Sequence, residues 1–207
     1  EEIVLAPGAD PKSDPCLALR AAVAAAEFGL PIAPGTLQNL KSCPIDDRTW
    51  NDESRSLFLR LLASGPALLQ VWEEIDFVDI PGRLIPEWLA IRNRPSASAA
   101  HRYTIDRHSV EVVTRLGRET PRGNRYDDRH YQALLLAGIL HDVGKRPWVA
   151  DHAAEGARHA SMVLKRMGFD RDIIWWVTLL VREHLTLSEF ATGQNPNDPN
   201  VGDELAS

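Results

Sequence analysis

The chain is poor in cysteine: Cys16 and Cys43 are the only two among 207 residues, and both lie far from the histidines. A disulfide scaffold is therefore excluded as the source of stability, and a reduced, cytoplasmic setting is the economical expectation. Long apolar runs are missing as well. None approaches the ~20 residues that a membrane-spanning helix needs, and no signal peptide is visible. The net formal charge is −6 and no long Lys/Arg run appears, which argues against a nucleic-acid backbone as partner. There is no GxGxxG or Walker-type phosphate loop, no internal repeat, and no segment with the alternation of a strand. The first residues are Glu1 and Glu2 rather than Met, so the sequence is expected to be a piece excised from something longer.

What is present reads as helix. The apolar fraction is 44%, with six tryptophans, enough for a sizeable core. "DPCLALRAAVAAAEFG" has an Asp and a Pro at its start and a closing Gly. "APGTLQNLKSC" is a short helix starting near Pro34. "DESRSLFLRLLASG" places Leu57, Phe58, Leu61 and Leu62 on one face and stops at Gly65. "PALLQVWEEID" follows Pro66. "IPGRLIPEWLAIRNRPSASAA" carries three prolines and many small residues, and reads as an irregular connector. Helices then return over "AHRYTIDRHSVEVVTRLG", "RHYQALLLAGILHDVG", "HAAEGARHASMVLKRMG" and "RDIIWWVTLLVREHLTLSEFA". The second of these is apolar nearly all round, so it should be central. "PRGNRYDDR" is a polar loop, and "GQNPNDPNVGDELAS" reads as a loop-like tail. The expectation is an all-α helical bundle, with a helical subdomain over residues 1–80, a second unit over 81–192 and the tail over 193–207.

The histidines fall at or near helix ends. His101 and His108 are seven apart, hence on one helical face. His141 and Asp142 close the apolar central helix. His152 opens the next, and His184 lies near the end of the last. Packed in a bundle, such ends can converge on a divalent ion, for which imidazole and carboxylate are suitable ligands. A charged pair at the end of so apolar a helix carries a desolvation cost. A metal, a capping role or a salt bridge with Lys145 would each offset it. His130 and His159 read as ordinary hydrogen-bonded residues.

The set His108, then "HDVGK" with His141 and Asp142, then later histidines, resembles the HD-domain metal-dependent phosphohydrolases. "HRYTIDRH", "LLLAGILHDVGK", "DHAAEGA" and "LVREHLTLSEFAT" are similar to the HD domain of the bifunctional uridylyltransferase/uridylyl-removing enzymes, and residues 1–80 resemble the helical linker preceding it. The resemblance implies an HD-type bundle that binds one or two divalent ions (Mn, Mg, Fe or Zn) through His108, His141, Asp142, His152 and His184. Catalysis would fall to Asp142, orienting or deprotonating water, and to Lys145, facing the phosphate. Arg92, Arg94 and His101 are candidate substrate contacts, with solvated surface charge as the competing reading for the arginines. The implied reaction removes a nucleotidyl group, UMP or AMP, from a tyrosine of the PII nitrogen-regulatory protein. The implied partners are nucleotidylated PII and the nucleotidyltransferase and ACT domains that this sequence lacks.

Two departures stand out. Where the family closes its site with Asp in a stretch resembling "ATxRDxxDP", this sequence reads "ATGQNPNDP", so Asn195 replaces the carboxylate and Asp198 is the nearest substitute. An amide supplies an oxygen but no charge, which should weaken ion binding. The link between "HDVGK" and "DH" is "RPWVA", without glycine and one residue longer, which could displace His152. Hydrolysis of a free small nucleotide, and a non-catalytic helical module, therefore stand as alternatives.

Overall fold

The computed structural model describes residues 1–46, 49–96, 102–119 and 128–186. Among them nine α-helices and one 3₁₀ helix follow in order. They are α1 (Leu17–Phe28), α2 (Pro34–Leu40), α3 (Asp52–Leu62), α4 (Pro66–Phe77), α5 (Ile80–Leu84), the 3₁₀ helix Pro86–Ala90, α6 (Ile105–Glu119), α7 (Arg129–Leu140), α8 (His152–Arg166) and α9 (Arg171–Arg182). The described residues hold no β-strand; they pair only in the isolated bridges Ile3–Ile32 and Pro95–Thr104. The fold is all-α, as the periodicity predicts. No described helix is long and apolar enough to cross a membrane. Cys16 and Cys43 are buried free thiols.

Local chemistry sets the helix ends. Gly29 (φ 64°) terminates α1 in the left-handed region, where a side chain is disfavoured. Asn51 and Ser54 form a reciprocal capping box on α3. Asp128, Asp151 and Asp170 cap α7, α8 and α9 by accepting backbone N–H bonds. Helix α9 ends at Arg182, where the sequence reading carried it on to 191. Glu183 already has non-helical backbone, and His184 lies in the turn beyond.

Helices α6–α9 pack in succession, with α9 against both α7 and α8 and α7 against α6. Helix α4 joins α1 to α6. One contiguous core runs through both halves, from Leu19, Phe58 and Ile75 to Leu135, Val163 and Val177. Helix α7 is its centre: eight of its residues, Tyr131 to Leu140, are buried.

The segment read as an irregular connector is a correction. It folds into α5 and the 3₁₀ helix and buries Ile80, Leu84, Ile85, Trp88 and Ile91 in the shared core. Two of its three prolines, Pro81 and Pro86, sit at first-turn positions, where a missing N–H costs nothing. Bidentate hydrogen bonds from Arg166 of α8 to Glu87, at 2.9 and 2.6 Å, tie this segment to the other half.

Candidate metal centre

Four helix ends meet around one carboxylate. His108 lies in the first turn of α6, His141 follows α7 as its C-cap, Asp142 is next, His152 opens α8, and His184 follows α9. Asp142 is fully buried. Two trios have ligand atoms all within 4.8 Å of one another: His108, His141 and Asp142, and Asp142, His152 and His184. Asp142 belongs to both. The imidazoles form a chain: ring centroids are 5.2 Å apart for His108–His141 and His141–His184, and 5.6 Å for His152–His184.

The tautomers are set by backbone. His141 Nδ1 lies 2.9 Å from the Gly138 carbonyl and His184 Nδ1 2.6 Å from the Val181 carbonyl. A carbonyl only accepts, so each Nδ1 carries the proton and, in the neutral ring, each Nε2 presents a lone pair. In both cases a histidine just past a helix end turns back to the carbonyl three residues earlier, one of the groups that a helix end leaves unpaired. Those Nε2 atoms face Asp142, His141 at 3.4 Å from Oδ2 and His184 at 3.6 Å from Oδ1. Lone pairs opposed to a carboxylate repel unless a cation, proton or metal, stands between them. Asp142 Oδ1, His152 Nε2 and His184 Nε2 are all buried without a hydrogen-bond partner, a cost that coordination removes. The donor set, imidazole nitrogen plus carboxylate, suits Mn, Fe, Zn or Mg.

Burial pushes Asp142 up, but His141, His184 and Lys145 outweigh it and hold the carboxyl far below its ordinary value. Burial alone would lower His184; the Asp142 carboxylate and the Val181 carbonyl raise it instead. His152 is lowered, by burial first and then by the Lys145 charge. Lys145 Nζ lies 2.8 Å from Asp142 Oδ2, so it shares that oxygen's field with any ion bound there.

Gly144 lets α8 approach. A Cβ at this position would stand 2.2 Å from the His152 carbonyl oxygen and 2.3 Å from Gly156 N, distances that real side chains do not show. This contact sets His152 beside His184. The "RPWVA" spacer that leads to His152 includes a turn in which Trp148 adopts φ 67° and projects into solvent.

A cavity of about 510 Å³ opens onto the centre, walled by Val112, Leu116, Leu134, Ala137, Leu180 and Leu185. His108, His141, Asp142, Lys145 and His184 form its polar end. Leu116, Leu134 and Leu180 come from α6, α7 and α9 and Leu185 from the turn after α9, so packing assembles the wall. Arg92 and Arg94 do not line it. Arg92 is held by Asp76 Oδ2 and Asp79 Oδ1, both at 3.0 Å. His159 pairs with Glu155 at 2.9 Å. His101, Asn195 and Asp198 lie outside the described residues.

Residues 105–202 match the HD domain family model. This part of the chain is an HD domain. The chain is also similar to proteins named bifunctional uridylyltransferase/uridylyl-removing enzyme. That of Streptomyces coelicolor is 40% identical over 199 residues, covering 96% of this chain and 23% of the relative. That of Mycobacterium tuberculosis is 39% identical over 201 residues, covering 97% and 24%. That of Corynebacterium glutamicum is 32% identical over 196 residues, covering 93% and 27%. The chain thus spans about a quarter of the length of these relatives. Both trios that share Asp142 lie within the segment that matches the HD family.

Proposed function

We propose that the chain hydrolyses the phosphodiester linking UMP to a tyrosine of the PII signalling protein, as the uridylyl-removing portion of a longer bifunctional enzyme. In this reading residues 1–80 are the helical linker, 81–192 the hydrolase unit and 193–207 a tail, and nucleotidyltransferase and ACT domains belong to the same longer chain. The observation that carries the reading is the pair of trios joined at Asp142, with histidine tautomers set for ligation.

His108, His141 and Asp142 would hold one divalent ion, and Asp142, His152 and His184 a second. Such ions acidify water and offset charge on phosphoryl oxygens. Asp142 would also orient the attacking water. Lys145, the cation among the described residues of the cavity wall, faces the phosphoryl group. The bond from phosphorus to the tyrosyl oxygen breaks and tyrosinate leaves, a fair leaving group with a pKa of ~10. The aliphatic wall offers nothing to read a base edge, so removal of AMP fits the same residues.

The test is hydrolysis of uridylylated PII by the purified chain with Mn. Release of UMP supports the reading; a chain that neither binds Mn nor releases UMP overturns it. Asn195→Asp is expected to raise metal occupancy, because the family resemblance puts the closing carboxylate at this position. Unchanged metal content would show that the amide does not limit the site.

A further inference from the structure

Helix α9 buries Ile173, Val177 and Val181, and its opposite face should then be polar. It is not. Trp175 is 58% exposed, and Trp176, Leu179 and Leu180 are between 37% and 39% exposed. Leu134 of the neighbouring α7 is 40% exposed. The Trp175 and Trp176 rings meet at 4.6 Å, and Trp176 also meets His130 of α7 at 5.4 Å, across the seam between the two helices. A clustered apolar surface of this kind marks an interaction site more often than chance exposure does.

The cluster has a direction. Trp176 and Leu180, four residues apart, lie along one ridge of α9, and His184 stands in the turn just past its end. On α7, His130 and Leu134 form the parallel ridge. Leu180 and Leu134 both wall the cavity, and His184 lies at its polar end, in one of the two trios. The track therefore runs from exposed tryptophans into the site.

We propose that this α7/α9 track is the docking surface for the polypeptide that carries the scissile phosphodiester, with Trp175, Trp176 and Leu179 as its contact residues outside the cavity. The proposal rests on the hydrolase reading and adds that the substrate is bound as a protein, through surface remote from the ester. A free nucleotide would end at the cavity and leave the tryptophans unused. A second copy of the chain, or a further domain packed permanently on the track, would cover Leu134 and Leu180 and close the cavity mouth. A polypeptide that presents a tyrosine covers the track and fills the mouth together. Exposed tryptophans are suited to such a role, since they supply large contact area and often dominate binding energy.

The test uses Trp175→Ala, Trp176→Ala and Leu179→Ala in the whole 207-residue chain. Two substrates are compared, uridylylated PII and the p-nitrophenyl ester of UMP, each with Mn. The expected result is at least a tenfold loss of kcat/KM on the protein substrate, mostly in KM, with the small ester unchanged within twofold. Equal losses on both substrates, or no loss on either, overturn the proposal. So does light scattering that shows a dimer which the tryptophan variants dissociate. Calorimetric binding of uridylylated PII without added metal separates this proposal from the reading of the activity. Binding that depends on the tryptophans but is never followed by hydrolysis would sink the activity and keep the docking surface; absence of binding would sink the docking surface itself.

Discussion

Among the described residues, two places hold aspartates with a buried, unpartnered oxygen, and they differ in what surrounds them. At the junction of α4, the 3₁₀ helix and α6, Asp76 and Asp106 share a cavity of about 210 Å³ with Trp72 and Trp88, and Oδ1 of each aspartate lacks a partner. Each carboxylate is nevertheless anchored: Asp76 Oδ2 by Arg92 at 3.0 Å, and Asp106 Oδ2 by the Asn93 N–H at 2.8 Å. No trio of ligand atoms converges there among the described residues. At Asp142, histidines from separate helix ends aim lone pairs at the same carboxylate. The acidities move in opposite directions. Burial raises Asp76 despite Arg92, whereas His141, His184 and Lys145 overcome burial and lower Asp142. A buried carboxylate alone marks packing and salt bridging; convergence of unsatisfied lone pairs marks an ion.

The contrast can be broken from either side. The largest effect is expected from Gly144→Ala. Its Cβ meets backbone rather than a yielding side chain, so the start of α8 must move with His152. A loss of about 3 kcal/mol, at the upper end for overpacking, should accompany loss of metal, read by urea unfolding and metal analysis. Next, Arg92→Ala leaves Asp76 half-buried beside Asp106 without its cation. About 2 kcal/mol of stability should go while metal content stays as in the wild type; loss of metal would show that the two regions are one functional unit.

The smallest effect concerns Glu87. Burial pushes this carboxyl up, but Arg166 wins and its folded pKa is lowered. A lowered folded pKa means that the pair stabilises the protein above the ordinary glutamate pKa of ~4.3, and that this contribution disappears as pH falls through the folded value. Glu87→Gln should therefore cost about 1–2 kcal/mol at pH 7, with a difference from wild type that shrinks below pH 4. A difference constant from pH 7 to pH 3 would contradict the ion pair.

Much of the site was legible because ligation needs particular residue types at helix ends. The apolar run of α7 pointed to His141 and Asp142, and the helix periods put His152 and His184 at the ends of α8 and α9. The connector was misread because proline at a first helical turn looks the same in sequence as proline in a loop; burial of Trp88 and Ile91 distinguishes them. In α9, Trp175 and Trp176 face solvent, because the stripe Ile173, Val177 and Val181 is the side buried where α9 packs on α7 and α8. Arg92 shows the opposite limit. The resemblance made it a candidate substrate contact, with surface charge as the competing reading, and only the fold reveals Asp76 and Asp79 beside it. The shared role of Asp142 was hidden too, because it arises from four chain segments at once.

The most direct test of the account is metal content, measured by mass spectrometry on protein equilibrated with Mn and then desalted. Wild type is predicted to retain up to two ions per chain, and Asp142→Ala, which breaks both trios at once, less than a tenth of that; Asp76→Asn should match wild type. A metal-free wild type, or an Asp142→Ala protein with undiminished content, would contradict the claim that one carboxylate joins two ion sites.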